Sequence, residues 1–404
     1  MTADRLAAGV FVVAMLLLAA GRVGRLPVRR GGVALSAGLV TALLLAIGPA
    51  AVDWNVIALL AGLMALAGLA EHAGLFRPLR DRLVRLTPHR ALATAVVGMA
   101  AASALFLNDA AMVVLLPLLL PPLRSQGLEP VSVVVLLAVA SNVGSLLTPF
   151  GNPQNAALAA AAGLSMEDFL LQQGPVAAVG LAFLVAVARC VPREVRGPRG
   201  EADGPAPRDG KRTSGGSRGP VLAAIALAGF LALAATAQWT GVPYGVAAVL
   251  AATALYLGLR VGDRAADRAV LGALDLNILA LFVGLYLLTA GLGAWLPGIP
   301  LPRSLWEVGL VVAAAGNLVG NVPAVLVLLR AEPAWSVAHG AFLVTASTLG
   351  GTFLLGGSAV NLIAAESARR QGVGVGFVAF LRRAVPLGVP LFGFGLAWRI
   401  LGPG

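Results

Sequence analysis

An all-α, polytopic membrane fold is predicted for this chain, with about ten spanning helices, two re-entrant hairpins and two inverted repeats that contain discontinuous helices. Three observations predict it. Apolar residues make up 59% of the 404 and charged residues 12%, against roughly 45–50% and 25% in soluble domains, and mean hydropathy is +0.90. Apolar stretches long enough to cross roughly 30 Å of hydrocarbon as helices recur along the whole chain. A set of polar and glycine landmarks then occurs twice, in the same order.

Taken from the N-terminus, spans are expected at residues 6–21, 33–50 and 54–74. Basic residues follow the first run where a signal cleavage site would lie, so it stays as a span. A basic loop, Arg77 to Arg90, is an amphipathic surface-helix candidate suited to anionic lipid. Residues 91–123 form the first apolar hairpin, its two arms each read as too short to span. Residues 131–163 and 174–191 complete a first repeat over 1–192. The segment 193–219 mixes Pro, Gly, Ser and both charge signs, and reads as a flexible basic cytoplasmic linker. The second repeat, 220–404, has spans at 220–238, 243–259, 273–294, 337–366 and 384–401, with a hairpin at 304–330.

Arginine placement fixes the expected orientation. With Met1 outside, all but Arg5, Arg303, Arg330 and Arg399 of the 29 Lys and Arg residues fall in inner loops, as poorly translocated residues should. Arg22, Arg25, Arg29 and Arg30 form one such group. The bias requires both hairpins to return to the side they entered, and it places both termini outside a bacterial inner membrane. It also accounts for the +11 net charge without nucleic acid, since the basic residues lack interleaved aromatics. The single cysteine, Cys190, permits neither an internal disulfide nor a thiolate metal cage.

The repeat is read residue by residue. DWNVIALLAGLMAL from Asp53 matches DLNILALFVGLYLL from Asp275, and Asp53, Asn55, Asp275 and Asn277 read as helix-starting residues. The hairpins align with Asn108 opposite Asn321. Ser141, Gly144, Gly151 and Asn155 then correspond to Ser347, Gly350, Gly357 and Asn361. By the arginine rule the Asp53 and Asp275 spans run in opposite directions, a plan that puts substrate and coupling-ion sites near the midplane.

A straight helix over 131–163 would be about 50 Å long at 1.5 Å per residue, so it must break. Thr148-Pro149-Phe150-Gly151-Asn152-Pro153 supplies two prolines and a glycine, and Gly350, Gly351, Gly356, Gly357 and Ser358 do so in the second half. Hairpin tips are expected at Asn108-Asp109-Ala110 and Asn321-Val322-Pro323. Freed carbonyls with Asn, Ser and Thr oxygens suit Na⁺, while free helix N-termini suit an anion without any basic side chain. Asp109 is the one acidic residue expected deep in the membrane, where it would bind the coupling cation or a proton or cap the returning arm.

These residues resemble the ion transporter superfamily of arsenite–antimonite permeases, divalent-anion/sodium symporters, citrate transporters and one class of sodium/proton antiporters. LNDAAMVVLLPLL is similar to the permeases' Asn-Asp tip, and SNVGSLLTPFGNPQN to their Gly-Asn-Pro-Gln-Asn break. The resemblance implies a scaffold plus a mobile transport region in each half, and a homodimer. It implies site residues at Asn108, Asp109, Asn142, Thr148, Asn152, Asn155, Asn321, Thr348, Ser358 and Asn361, with Na⁺ near Asn108, Asp109, Asn152, Asn321 and Ser358. Where dicarboxylate symporters carry Ser-Asn-Thr, this chain has Asn-Asp-Ala and Asn-Val-Pro.

The expected function is secondary active transport of a small anion, an inorganic oxyanion or carboxylate, coupled to Na⁺ or H⁺, with no other cofactor. Arsenite or antimonite efflux, Na⁺/H⁺ exchange and a channel are the alternatives. No nucleotide-binding motif is present; a separate ATPase subunit would be an external partner. An enzyme is not expected, because no Ser/His/Asp set, HExxH or paired in-span carboxylate occurs.

Overall fold

The structure, a computed structural model, describes residues 3–20, 22–23, 26–27, 29–194, 218–260, 264–292, 304–331 and 335–401. The linker lies outside the described residues except at its two ends. Apart from a short ribbon pairing Arg22–Val23 with Leu26–Pro27 and an isolated bridge between Leu128 and Arg193, the regular structure of the described residues is helical. In order the helices are α1 (Ala3–Ala20), α2 (Arg30–Leu45), α3 (Trp54–His72), α4 (Arg77–Arg85), α5 (Pro88–Phe106), α6 (Asn108–Ser125), α7 (Pro130–Ser145), α8 (Pro153–Ala162) and α9 (Met166–Ala188). After the linker follow α10 (Arg218–Ala235), α11 (Ala237–Thr240), α12 (Tyr244–Arg260), α13 (Ala265–Ala273), α14 (Leu276–Ala290), α15 (Leu305–Val319), α16 (Asn321–Ala331), α17 (Val337–Gly350), α18 (Ala359–Arg370) and α19 (Phe377–Leu401).

Local chemistry explains many boundaries. Asp53 accepts from the amides of Asn55 (3.0 Å) and Val56 (3.2 Å) to start α3, and Asp275 accepts from those of Asn277 (2.9 Å) and Ile278 (3.2 Å) to start α14. Both aspartates are therefore caps, as the repeated motif predicts. Ser165 with Asp168, and Ser304 with Glu307, form reciprocal capping boxes at the starts of α9 and α15. The first of these carries α9 eight residues upstream of the expected 174. On α4 only Leu83 is buried, which is the surface helix expected there.

The long apolar segments break where expected. α7 ends at Ser145 and α8 begins at Pro153, with turns between; α17 ends at Gly350 and α18 begins at Ala359. One expectation is corrected. The hairpin arm α5 is not too short to span: it has 19 residues, about 28 Å at 1.5 Å per residue, and is among six described helices long and apolar enough to cross a membrane unaided. It gains this length because Pro88 starts it early and one residue, Leu107, reverses the chain. A second difference is α13, a short helix lying against α3 that precedes Asp275.

Helices of the first half pair with helices of the second. α2 lies along α14 and α12 along α3, while α1 packs on α2 and α10 on α12. The glycine of the repeated motif makes each crossing close: a Cβ at Gly62 would strike the Ala248–Val249 backbone, and one at Gly284 the Ala34–Leu35 backbone. Small residues at interfaces allow such contacts where lipid supplies no hydrophobic drive. The hairpins pack inside, α5 on α7 and α15 on α17, with the returning arms crossing halves so that α6 meets α18 and α16 meets α8.

Gly144 and Gly350 belong to these inner crossings. A Cβ at Gly144 would overlap the Ala100 backbone, and one at Gly350 would press on Ala313. Gly144→Val should therefore force α5 off α7, an overpacking cost of about 1–3 kcal/mol or more. Size-exclusion profiles should show aggregation for Gly144→Val, whereas Gly229→Val, where nothing lies within 4 Å, should remain monodisperse.

Candidate functional site

Both hairpins turn in the same unusual way. Leu107 has φ +80° and ψ 129°, and Gly320 has φ +98° and ψ 152°. Glycine adopts such angles freely, whereas a leucine is strained there. Leu107 holds because its side chain is wholly buried and because the next amide, Asn108 N–H, donates to the Gly151 carbonyl at 2.9 Å. The first tip is thus bonded to the first break, and Asn108, Asp109 and Asn321 are only 1%, 3% and 5% exposed.

Each break is held by an asparagine amide reaching back across it. Asn155 Nδ2 donates to the carbonyls of Ser145 (2.8 Å) and Thr148 (3.1 Å). Asn361 Nδ2 donates to those of Gly351 (3.0 Å) and Leu354 (2.9 Å). In both halves the acceptors stand ten and seven residues upstream, so one clamp is built twice. It answers the need of carbonyls that the break releases from helical bonding. Asn142 then joins the halves at long range, receiving from Asn108 Nδ2 at 3.4 Å and donating to Asn361 Oδ1 at 3.5 Å.

Around this line the hydroxyls mostly secure backbone. Ser141 shares a 2.7 Å bond with Ser103 on α5, Thr148 Oγ1 donates to the Ala104 carbonyl at 2.8 Å, and Ser347 bonds within its own helix. In the second half the tie from arm to break comes from the arm instead. Asn317 donates to the Gly350 carbonyl at 2.7 Å and accepts from Leu354 N–H at 3.1 Å, while its amide oxygen occupies the space a Gly357 side chain would need. Sequence reasoning missed Asn317, because the position matched to it in the first repeat is Ala104 and no motif marks it.

Several buried polar atoms have no protein partner: Asn108 Oδ1, Asn155 Oδ1, Thr348 Oγ1, Gln154 Nε2, and both amide atoms of Asn321. Buried polar groups are rarely left so; four of these six atoms are oxygens, the donors a hard cation coordinates. Asn152 and Ser358 sit at the N-caps of α8 and α18 without making a side-chain cap bond, so their polar ends are also uncommitted to that task.

Asp109 is the second residue of α6, and no side chain caps that helix. The capping alternative for Asp109 therefore lacks its hydrogen bond, and among the described residues the carboxylate makes no ion pair either. It borders two cavities. One, of about 50 Å³, is also lined by Asn152, Asn321, Val322, Pro323 and Ser358. The other, of about 400 Å³, is lined by Ala110 and by Glu71, His72, Arg77, Arg268 and Asp275. The structure thus brings both tips and both breaks to one place, and puts Asp109 on the border of both the smaller space and a wider charged one.

A family model described as "Citrate transporter" matches residues 10–340. The chain belongs to that family. "Inner membrane protein YbiR" of Escherichia coli (strain K12) is 32% identical over 333 residues, 80% of this chain and 82% of the relative. "Silicon efflux transporter LSI3" of Oryza sativa subsp. japonica is 35% identical over 144 residues, 35% of this chain and 30% of that protein. As a member of the citrate transporter family the chain is a multi-pass membrane transport protein. The family and the helices agree with the polytopic fold and with the superfamily resemblance carried by the Asn-Asp tip and the Gly-Asn-Pro-Gln-Asn break.

Proposed function

We propose that this citrate transporter family member is a secondary active carrier that moves a small oxyacid anion by alternating access, driven by Na⁺ or H⁺. The observation that carries the reading is Asp109, a buried carboxylate without a protein partner between the two cavities. Ionisable groups inside membranes are costly and serve ion or proton pathways. The coupling cation is held by Asp109 with Asn108, Asn152, Asn321 and Ser358, and the anion by the N-termini of α8, α16 and α18. The paired scaffold of α2, α3, α12 and α14 stays in place while the hairpins and broken helices rearrange around the bound species.

Size favours a small solute. About 50 Å³ has room for about two water molecules at roughly 30 Å³ each, which suits an inorganic oxyacid better than a tricarboxylate. A second reading, efflux of a neutral metalloid acid such as arsenous acid, is favoured by the same size and by the likeness to a silicon efflux transporter. In the proposed orientation the linker is cytoplasmic and both termini are outside the inner membrane.

Flux in proteoliposomes tests the carrier reading. With orthophosphate, sulfate, citrate, arsenite and silicate as probes, uptake of one of them should saturate and should vanish when either the Na⁺ or the pH gradient is collapsed. Ohmic current independent of both gradients would show a channel instead, and Na⁺/H⁺ exchange with every probe absent would remove the anion from the scheme.

A further inference from the structure

Arg30 belongs by sequence to the loop arginines that set orientation, yet it lines the smaller cavity together with Asp109, Asn152, Asn321 and Ser358. Its position is fixed by a joint between the halves. Gly31 N–H, one residue on, donates to Asn277 Oδ1 at 2.9 Å and so pins the first turn of α2 to α14. The same joint recurs where Gly245 N–H donates to Asn55 Oδ1 at 2.8 Å, pinning α12 to α3. The residue before that glycine is Tyr244, so the matched joints present a guanidinium in one half and a phenol in the other.

Among the described residues Arg30 makes no hydrogen bond or ion pair, although Arg369 and Arg370 pair with Glu366, and Arg383 with Glu129. It is half-buried, unlike the exposed Arg29 beside it, so the neighbour is the one disposed toward headgroups. Facing the same cavity, Asn321 is 5% exposed and has both amide atoms without a partner. A guanidinium offers five donors in a planar fork that matches oxyanions, and the N-termini of α8 and α18 add backbone N–H groups at the cavity wall.

We propose that Arg30, Asn321 and these helix N-termini form an oxyanion-binding site, so that the carrier selects the charged form of a small oxyacid over its neutral form. The assignment rests on the carrier reading above and names its substrate class. It also gives the coupling a physical basis. An anion in this cavity meets one positive group, Arg30, and one negative group, Asp109; neutralising Asp109 with Na⁺ or H⁺ leaves the net attraction, so anion and cation bind together.

The test uses the full chain in proteoliposomes, with orthophosphate, sulfate and arsenate as charged probes and arsenous and orthosilicic acids as neutral ones. Wild type should transport at least one charged probe, and Arg30→Gln should raise its KM by roughly tenfold or more with a much smaller change in Vmax. Arg29→Gln should leave KM unchanged. Arg30→Lys keeps the charge that sets orientation but loses the two-pronged fork, so its KM should still rise severalfold; this variant carries the test if Arg30→Gln inserts poorly. An unchanged anion KM in whichever variant inserts would overturn the assignment. Gradient-coupled transport of neutral acids alone by wild type would overturn it too and would favour the second reading, a carrier of neutral acids, whereas gradient-driven carriage of either kind fails if no probe shows gradient-coupled flux.

Discussion

Asp109→Asn should abolish gradient-coupled flux while the protein still inserts and folds. The substitution keeps the shape of the side chain and removes only its charge. Asp109 makes no cap bond and no ion pair among the described residues, so little of the fold depends on that charge. A coordinated cation or a carried proton depends on it entirely. Coupled uptake in vesicles is expected to fall at least about a hundredfold, the scale of losing a buried, hydrogen-bonded charge interaction of about 3 kcal/mol. Circular dichroism and size-exclusion behaviour should match wild type. Coupling equal to wild type would remove Asp109 from the ion pathway.

The second large effect is on stability. Asn155→Ala removes the amide that satisfies the Ser145 and Thr148 carbonyls, and Asn361→Ala does the same to Gly351 and Leu354. Each stranded buried acceptor costs about 1–3 kcal/mol, so either variant should lose about 2–6 kcal/mol. Asn155→Asp should be no milder, because a carboxylate turned toward two carbonyls donates nothing unless protonated. Thermal unfolding in detergent should show a drop of several degrees for each. Melting at the wild-type temperature would mean that water, not the amide, satisfies the broken helix.

How much of this was legible in the sequence follows from the range of the interactions. Helix starts at Asp53 and Asp275 were visible because the capping acceptor, the amides and the helix lie within three residues. Breaks were visible because proline and glycine change the backbone locally, wherever the helix sits. The tips were located but not explained: nothing in Phe-Leu-Asn announces that Leu107 adopts a glycine-like angle, since burial and a bond to Gly151 enforce it. Asn317, Asn55 and Asn277 act on partners far along the chain, so their roles appear only in three dimensions. Arg30 was hidden for another reason. Its charge already had a sufficient explanation in orientation, and the direction in which a first-turn side chain faces is set by the helix that packs beside it.

The exchange of partners in the scaffold, α2 with α14 and α3 with α12, bears on how the protein is made. When the ribosome has delivered only the first 192 residues, α2 and α3 stand in the bilayer without the neighbours that receive their glycine-lined faces. They must wait, shielded by lipid or an insertase, until residues 244–290 emerge. The pairings of α2 with α14 and of α3 with α12 therefore form late in synthesis, and a chain truncated before α14 leaves the glycine-lined face of α2 without its partner. Cleavage between residues 195 and 217, by contrast, would sever none of the described helix contacts, and two separately translated fragments could assemble into the working protein.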